Sequence, residues 1–267
     1  GARHQRKRER RPERDVQLPQ EGVSDERAEH AYVAVREVED ARGAVEQHQP
    51  ERHQRVNAAD AEAAHEHLQQ VREACNDHGA LLIFDEIQSG MGRSGRLWAH
   101  QWDGVAPDVM TLAKGLGCGF PVGAMLVAER AAQTLGFGSH GTTFGGNPLA
   151  AAVARVALRK LSSPLLLANV DTQAQALRQG LRSLDETHGV FADIRGRGLM
   201  LGAQLRREFA GRAGEILDHA AEAGLLLLQA GPDVLRLTPA LNINATDIRD
   251  GLDRLDRALR TFLQHSR

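Results

Sequence analysis

Residues 1–67 of this 267-residue chain differ so strongly in composition from the rest that they limit where a folded core can form. They contain one leucine, Leu18, one tyrosine, Tyr32, and no Ile, Phe, Trp, Met or Cys. A segment with so little apolar surface cannot offset the entropy that ordering costs, so we expect disorder or a loose helix there. The folded part of the chain is therefore predicted to begin near Leu68.

Residues 1–67 allow three interpretations. Residues 1–14 carry seven basic and two acidic side chains, which fits either an arm that binds nucleic acid or a solvated tail. We expect no nucleic-acid partner, because no aromatic side chains are interleaved to stack on bases. The bias toward Arg, Ala, Glu, Gln, His, Val and Pro is also typical of a GC-rich gene translated out of frame. We favour this third interpretation, in which residues 1–67 replaced a genuine N-terminal half. Since the first methionine is Met91, we do not expect Gly1 to be a natural start.

The remaining composition excludes several classes of protein. A net charge of −2 gives no field that would attract nucleic acid or an anionic membrane. Cys75 and Cys118 lie far apart without metal-type spacing, so we expect no disulfide and no metal site, and we favour a reducing, cytoplasmic location. The longest apolar runs, such as residues 81–84 and 225–228, are too short to span a bilayer, and the Arg-rich start lacks the apolar core of a signal peptide.

The pattern from Leu68 onward predicts an α/β fold. A helix over 68–78 is followed by apolar strands over 80–84, 109–113 and 122–127, and then by a helix over 147–161. Continuous apolar strands separated by helices and loops are typical of a mainly parallel sheet. The pattern after Pro164 predicts a small α+β domain. Its elements are a helix over 165–188, a turn leading into a strand over 199–205, a helix over 213–223, strands over 225–229 and 234–237, and a helix over 245–264 capped by Asn244. We therefore predict three parts: an atypical segment (1–67), a partial large domain (68–162) and a C-terminal small domain (163–267).

Asp85 ends the first apolar strand, and such strand ends form the edge where α/β proteins place ligands. An ordinary strand-end cap is an equally simple interpretation. The run LLIFDE (residues 81–86) also resembles a Walker B strand of an ATPase. That assignment needs a glycine-rich loop with Lys-Ser or Lys-Thr, and no lysine of this chain precedes Ser or Thr.

Lys114 is one of only three lysines among 33 basic residues, and it opens a turn with glycines at 115, 117 and 119. It could be an ordinary surface lysine at a strand end. A partly desolvated lysine at this position would instead be a nucleophile and proton carrier, and the glycines would let a flat cofactor approach the backbone. Pyridoxal 5'-phosphate (PLP) chemistry would use the Asp85 carboxylate together with the Lys114 amine. Asp85 would lie beside the ring nitrogen and Lys114 at the reactive carbon.

Three stretches in this part of the sequence then resemble successive signatures of one family. They are IFDEIQSGMGRSG (83–95), PDVMTLAKGLG (107–117) and GSHGTTFGGNPL (138–149). Their order and spacing are similar to those of class III aminotransferases, which are fold-type I PLP enzymes, and most of all to the acetylornithine group. The resemblance covers about three-quarters of the chain.

The resemblance implies a role for each matching residue. Lys114 matches the lysine that bonds the cofactor, Asp85 the partner of the ring nitrogen, and Gln88 the contact of its phenolic oxygen. Thr143 matches a threonine that reaches the cofactor phosphate of the neighbouring subunit, which implies a homodimer; Arg236 matches an arginine that binds a substrate carboxylate. Taken alone, Gln88 could be a loop amide, Thr143 a turn residue and Arg236 a solvated strand residue.

The reaction that the resemblance implies is transfer of the δ-amino group of N-acetylornithine to 2-oxoglutarate in arginine biosynthesis. Alternatives are ornithine, succinylornithine or 4-aminobutyrate as donor, or an inactive fragment. Two departures from the family bear on this choice. Residues 1–67 match nothing in the family's N-terminal half, which supplies a phosphate loop and an aromatic residue stacked on the ring. Cys118 stands where relatives usually have glycine, so we expect it to crowd the turn.

Overall fold

The computed structural model describes residues 58–265. The expectations of a disordered or out-of-frame segment and of a basic arm therefore lie, for residues 1–57, outside the described residues. The described strands form two sheets. The strands are β1 Ile83–Asp85, β2 Val109–Leu112, β3 Ala124–Val127, β4 Phe191–Arg197, β5 Met200–Leu205, β6 Leu228–Gln229 and β7 Val234–Leu237.

The described helices precede, separate and follow these strands, so the α/β class is confirmed. They are α1 Ala58–Asp77, α2 Glu129–Ala132, α3 Pro148–Leu161, α4 Pro164–His188, α5 Ala213–Glu222 and α6 Ala245–His265. Short 3-10 turns lie at Ala99–Trp102, Lys114–Leu116 and Arg207–Phe209. Within residues 58–265, no helix combines the length and the apolar character that a bilayer crossing would need.

The first sheet contains β1, β2 and β3 in that order, and it is mixed. Strand β2 is parallel to β1 and antiparallel to β3. The prediction of a continuous buried strand over 80–84 was wrong: Leu82 is buried, whereas Leu81 is 45% exposed and Ile83 58% exposed. Among the described residues β1 has a neighbour on one edge only, and this exposure shows that one of its faces is not covered.

The second sheet has the order β4-β5-β7-β6, and each neighbouring pair is antiparallel. Helices α4, α5 and α6 pack with it around one large apolar core. Fully buried members of that core include Leu181, Phe191, Leu201, Ile216 and Leu235. Their burial follows from alternate apolar positions in the strands and from apolar stripes along the helices.

Local signals at the helix ends act as the sequence predicts. Asn147 caps α3, since its side chain accepts a hydrogen bond from Ala150 N–H at 2.9 Å, and Pro148 is the first helical residue. Asn244 caps α6 by accepting from the N–H groups of Thr246 and Asp247, each at 2.9 Å. These caps explain why both helices begin where the sequence pattern places them.

Three element boundaries differ from prediction. Helix α1 begins at Ala58, ten residues before the predicted start, because its first turns are rich in alanine, which forms helix without large apolar side chains. Strand β4 was missed because glycine and arginines interrupt its alternation and a register shift follows Phe191. The strand predicted over 225–229 is confined to Leu228–Gln229.

Candidate active site

A cavity of about 290 Å³ brings together residues from both sheets. Gln88 and Arg93 line it from the loop after β1, Lys114 lines it from the turn after β2, and Arg236 lines it from β7. Three of the five predicted site residues, Gln88, Lys114 and Arg236, therefore meet in one place. The cavity combines an amine, an amide and guanidinium groups, which suits a ligand that carries anionic groups.

Lys114 occupies a strained position at the edge of this cavity. Its φ angle is +45°, in the left-handed region that side chains other than glycine rarely adopt. Its Nζ atom donates a hydrogen bond to Gln88 Oε1 at 3.1 Å. Such strain costs about 1–3 kcal/mol per residue and is concentrated at functional sites in proteins. The turn therefore presents the Lys114 amine at a conformational cost.

Asp85 lies at the end of β1 with an exposed carboxylate. Its Oδ1 atom accepts hydrogen bonds from Ile87 N–H at 2.9 Å and from the Thr111 hydroxyl at 3.2 Å. Asp85 lines a second cavity, of about 450 Å³, whereas Lys114 lines the first. The expected placement of Asp85 and Lys114 on either side of one cofactor ring stays a prediction.

Arg236 is half-buried in β7 and lines two cavities. One is the cavity that Lys114 lines, and the other is an apolar cavity of about 250 Å³. The Arg236 Nε atom is buried without a hydrogen-bond partner, and no carboxylate within residues 58–265 forms an ion pair with this side chain. A half-buried cation without a counter-ion favours binding of an anionic ligand group.

Thr143, the fifth predicted residue, is exposed. It lines neither the 290 Å³ nor the 450 Å³ cavity. Neighbouring polar side chains form hydrogen bonds within their own loop: Thr142 Oγ1 accepts from Gly145 N–H at 2.8 Å, and Asn147 caps α3. Phe144, the next residue, is 80% exposed. The described residues therefore leave this loop uncovered.

Sequence reasoning missed Arg93, which links the two sheets beside the cavity. Its Nη1 atom donates to the carbonyl oxygens of Leu199 at 2.9 Å and Pro239 at 2.6 Å. Burial lowers the pKa of its guanidinium. The only local signal is an arginine inside a glycine-rich loop, because both acceptors lie more than a hundred residues away in sequence.

Two buried carboxylates that support the first sheet were also missed as structural groups. Asp108 accepts from Leu82 N–H at 2.7 Å and pairs with Arg72 and Arg130. The hydrogen bonds from Arg130 hold the pKa of this carboxyl far below its usual range, although burial opposes the shift. Glu86 accepts from the backbone N–H groups at Ala99 and His100, at 2.6 and 2.9 Å. Both carboxylates fix the segments that flank β1 and β2.

Comparison with known proteins identifies one family. The model of the class III aminotransferases matches residues 57–259. The acetylornithine aminotransferase of Xanthomonas axonopodis pv. citri is 62% identical over 196 residues, which cover 73% of this chain and 48% of that protein. The chain thus spans about half the length of the curated relatives it matches.

Solved structures agree with this relationship. The N-acetylornithine aminotransferase of Stenotrophomonas maltophilia is 57% identical, with a TM-score of 0.69, over 74% of this chain and 52% of that one. An ornithine aminotransferase from Toxoplasma gondii, described as holding PLP at partial occupancy in its active site, is 32% identical with a TM-score of 0.69. The match to it covers 74% of this chain and 47% of that one.

Proposed function

This chain belongs to the class III aminotransferase family, and we propose that its cavity at Lys114 carries the amino-transfer chemistry of an acetylornithine aminotransferase. The observation that carries the proposal is the meeting of Lys114, Gln88 and Arg236 in one cavity. A reactive amine and a free guanidinium in one cavity suit an amino acid substrate, which brings an amine and a carboxylate together.

The residues present fit PLP, which the family implies. Lys114 Nζ has only an amide oxygen as partner, and the second carboxylate oxygen of Asp85, Oδ2, has no donor within residues 58–265. The Thr143 hydroxyl is exposed and likewise has no partner among the described residues. An amine, an anion and a hydroxyl are the groups that an aldehyde, a pyridine nitrogen and a phosphate require.

Each residue of this site has a distinct task in the proposal. When bound, PLP supplies an aldehyde that reacts with amines and a ring that accepts electron density. The Asp85 carboxylate would favour a protonated, positively charged ring nitrogen. Gln88 accepts from Lys114 through Oε1, so its Nε2 remains as a donor to the phenolic oxygen. Lys114 Nζ takes and returns the proton of the substrate carbon.

We propose N-acetylornithine as the amino donor, 2-oxoglutarate as the acceptor, and arginine biosynthesis as the context. The names of relatives at 62% and 57% identity support this choice. Arg236 would bind a substrate carboxylate bidentately. Ornithine, succinylornithine and 4-aminobutyrate remain alternative donors, because each also presents an amine at the end of a short chain and a carboxylate.

Pairing with a second copy, in the cytoplasm, completes the proposal. Thr143 would then reach the phosphate of the cofactor in the partner subunit. The exposure of Thr143, Phe137 and Phe144 supports a homodimer, since large exposed apolar side chains mark interaction surfaces. Light scattering on the purified protein tests this proposal, and a monomeric mass would contradict it.

A catalytically inactive fragment is the second candidate. It is favoured by the half-length match to relatives and by the exposed apolar residues Leu81 and Ile83 of the first sheet. Uncovered strand edges and apolar faces are also an aggregation liability.

One experiment separates the two candidates. The purified protein is mixed with PLP, and we expect a visible absorbance band that Lys114→Ala abolishes. Lys160→Ala is the matched control, because Lys160 is an exposed lysine of α3 away from the cavity and its loss should leave the band unchanged. Amino transfer is then measured with 2-oxoglutarate and each of the four donors. No band with the wild-type protein would favour the inactive fragment, and a band without transfer would mean cofactor binding without catalysis.

A further inference from the structure

Thr111 is the residue of β2 that lies beside Asp85 in the parallel pair of β1 and β2. Its hydroxyl donates to Asp85 Oδ1 at 3.2 Å, and its carbonyl oxygen accepts from Glu86 N–H at 3.1 Å. Ile87 N–H donates to the same carboxylate oxygen at 2.9 Å. Side-chain and backbone contacts therefore join Thr111 to the end of β1 where the carboxylate sits.

The two donors differ in what they can fix. The Ile87 amide is only two residues from Asp85, so it moves with the loop that follows β1. The Thr111 hydroxyl comes from the neighbouring strand, and the β-branched side chain of threonine has few χ1 rotamers. It therefore ties the carboxylate to the sheet rather than to the loop.

Both hydrogen bonds end on Oδ1, and no donor among the described residues reaches Oδ2. The carboxylate is thus held by one oxygen while the other is left with its full capacity to accept. An anionic group whose rotation is restricted and whose second oxygen is unused is prepared for one further donor.

We propose that Thr111 is a positioning residue for the cofactor: its hydroxyl fixes Asp85 Oδ1 to the sheet and leaves Oδ2 for the ring nitrogen of PLP. The inference rests on the proposed function and extends it to a residue that does not itself touch the cofactor. Without the hydroxyl, the carboxylate rotates more freely and meets the ring nitrogen in a smaller fraction of its conformations.

The test compares Thr111→Val with Thr111→Ser in the whole chain. Valine keeps the shape of threonine without its hydroxyl, so we expect the Kd for PLP to rise about tenfold, which is about 1.4 kcal/mol. Serine keeps the hydroxyl, so the Kd should stay within about threefold of the wild type. We also expect the absorbance band of the bound cofactor to change in Thr111→Val, because Asp85 sets the charge of the ring nitrogen. Thr172→Val, an exposed change in α4, is the matched control and should alter neither quantity.

Two further measurements distinguish the proposed positioning role of Thr111 from a purely structural role. Valine favours strands at least as strongly as threonine, so the unfolding temperature of Thr111→Val without PLP should match the wild type. In an Asp85→Ala background, Thr111→Val should not weaken PLP binding further, because the acceptor is gone. Equal Kd values for wild type and Thr111→Val would overturn the inference alone, as would an undiminished Thr111→Val effect without Asp85. Failure of the wild-type protein to bind PLP would overturn the proposed function, and the inference with it.

Discussion

The two sheets of this protein differ in how well each is packed. The core around the second sheet contains eighteen buried apolar residues, whereas the core around the first sheet contains four: Met91, Met110, Leu112 and Leu116. The four residues proposed to contact PLP lie between the start of β1 and the start of α3, whereas Arg236, proposed to bind the substrate, comes from β7 of the second sheet. We therefore expect the region with the proposed chemistry to be the less stable one, and to depend more on buried ion pairs such as those of Asp108.

The comparison is tested most strongly by one substitution made in both cores. Leu201→Ala removes a side chain that is 1% exposed in the large core, and Leu112→Ala removes one that is 3% exposed in the small core. We expect losses of about 4 and about 2 kcal/mol in the free energy of unfolding, because fewer surrounding atoms lose contacts in the small core. Urea unfolding of both variants measures the difference. Equal losses would show that the first sheet is packed as firmly as the second.

The ion pairs of Asp108, which support the first sheet, provide the next test. Asp108→Asn should lower the free energy of unfolding by about 2 kcal/mol, since it breaks buried pairs with Arg72 and with the partly exposed Arg130. The folded-state pKa of Asp108 is depressed, chiefly by Arg130, so its contribution is complete above the unfolded value of about 4 and is lost as pH falls below it. The variant should therefore lose less stability than the wild type between about pH 5 and pH 3.

Asp256→Asn is the counterpart in the second region. Burial tends to raise the pKa of Asp256, but hydrogen bonds from His188 and Arg260 outweigh it, so the pKa is lowered. This carboxylate is more exposed than that of Asp108, and the large core surrounds its helix, so we expect a smaller effect of the substitution. A larger loss for Asp256→Asn than for Asp108→Asn would reverse the comparison.

The smallest expected effect concerns the turn after β2. Cys118 has a φ angle of +46°, which explains why a glycine suits this position, but its side chain is exposed, so the expected crowding of the turn by a thiol stays a prediction. Cys118→Gly should raise the free energy of unfolding by about 0.5–1 kcal/mol, because relief of strain exceeds the added freedom of the unfolded chain. Cys75→Gly, in the last turn of α1, should instead lower it by less than about 0.5 kcal/mol, because glycine forms helix somewhat less well than cysteine. Thermal unfolding distinguishes the two signs, and a stabilising Cys75→Gly would contradict this explanation.

Sequence signals correctly predicted where helices begin when the residues that fix the start lie close together in sequence. Asn147 with Pro148, and Asn244, place the starts of α3 and α6 through contacts within three residues. The sequence motifs, which occur in the same order as in the family, likewise indicated that Lys114 and Gln88 lie in one site. By contrast, strand β4 depends on pairing with β5 rather than on its own alternation, so its sequence predicted only a turn.

Long-range polar contacts explain what sequence reasoning could not supply. Arg93 meets Pro239 across 146 residues, and Asp108 meets Arg72 across 36. No periodicity or turn signal encodes such partners, since the contacting residues are far apart in sequence. The exposure of Ile83 was missed for a related reason: an apolar strand sequence does not reveal whether anything covers its outer face.

The Arg93 tie has a consequence for how donors of different length would be distinguished. Lys114 and Arg236 sit on separate sheets, and the Arg93 guanidinium joins the loop beside Lys114 to Pro239, three residues beyond Arg236. If these two cations bind opposite ends of one substrate molecule, the Arg93 hydrogen bonds help to set the distance between the two binding groups. A donor whose amine and carboxylate are one methylene closer together or farther apart would then reach only one of the two cations.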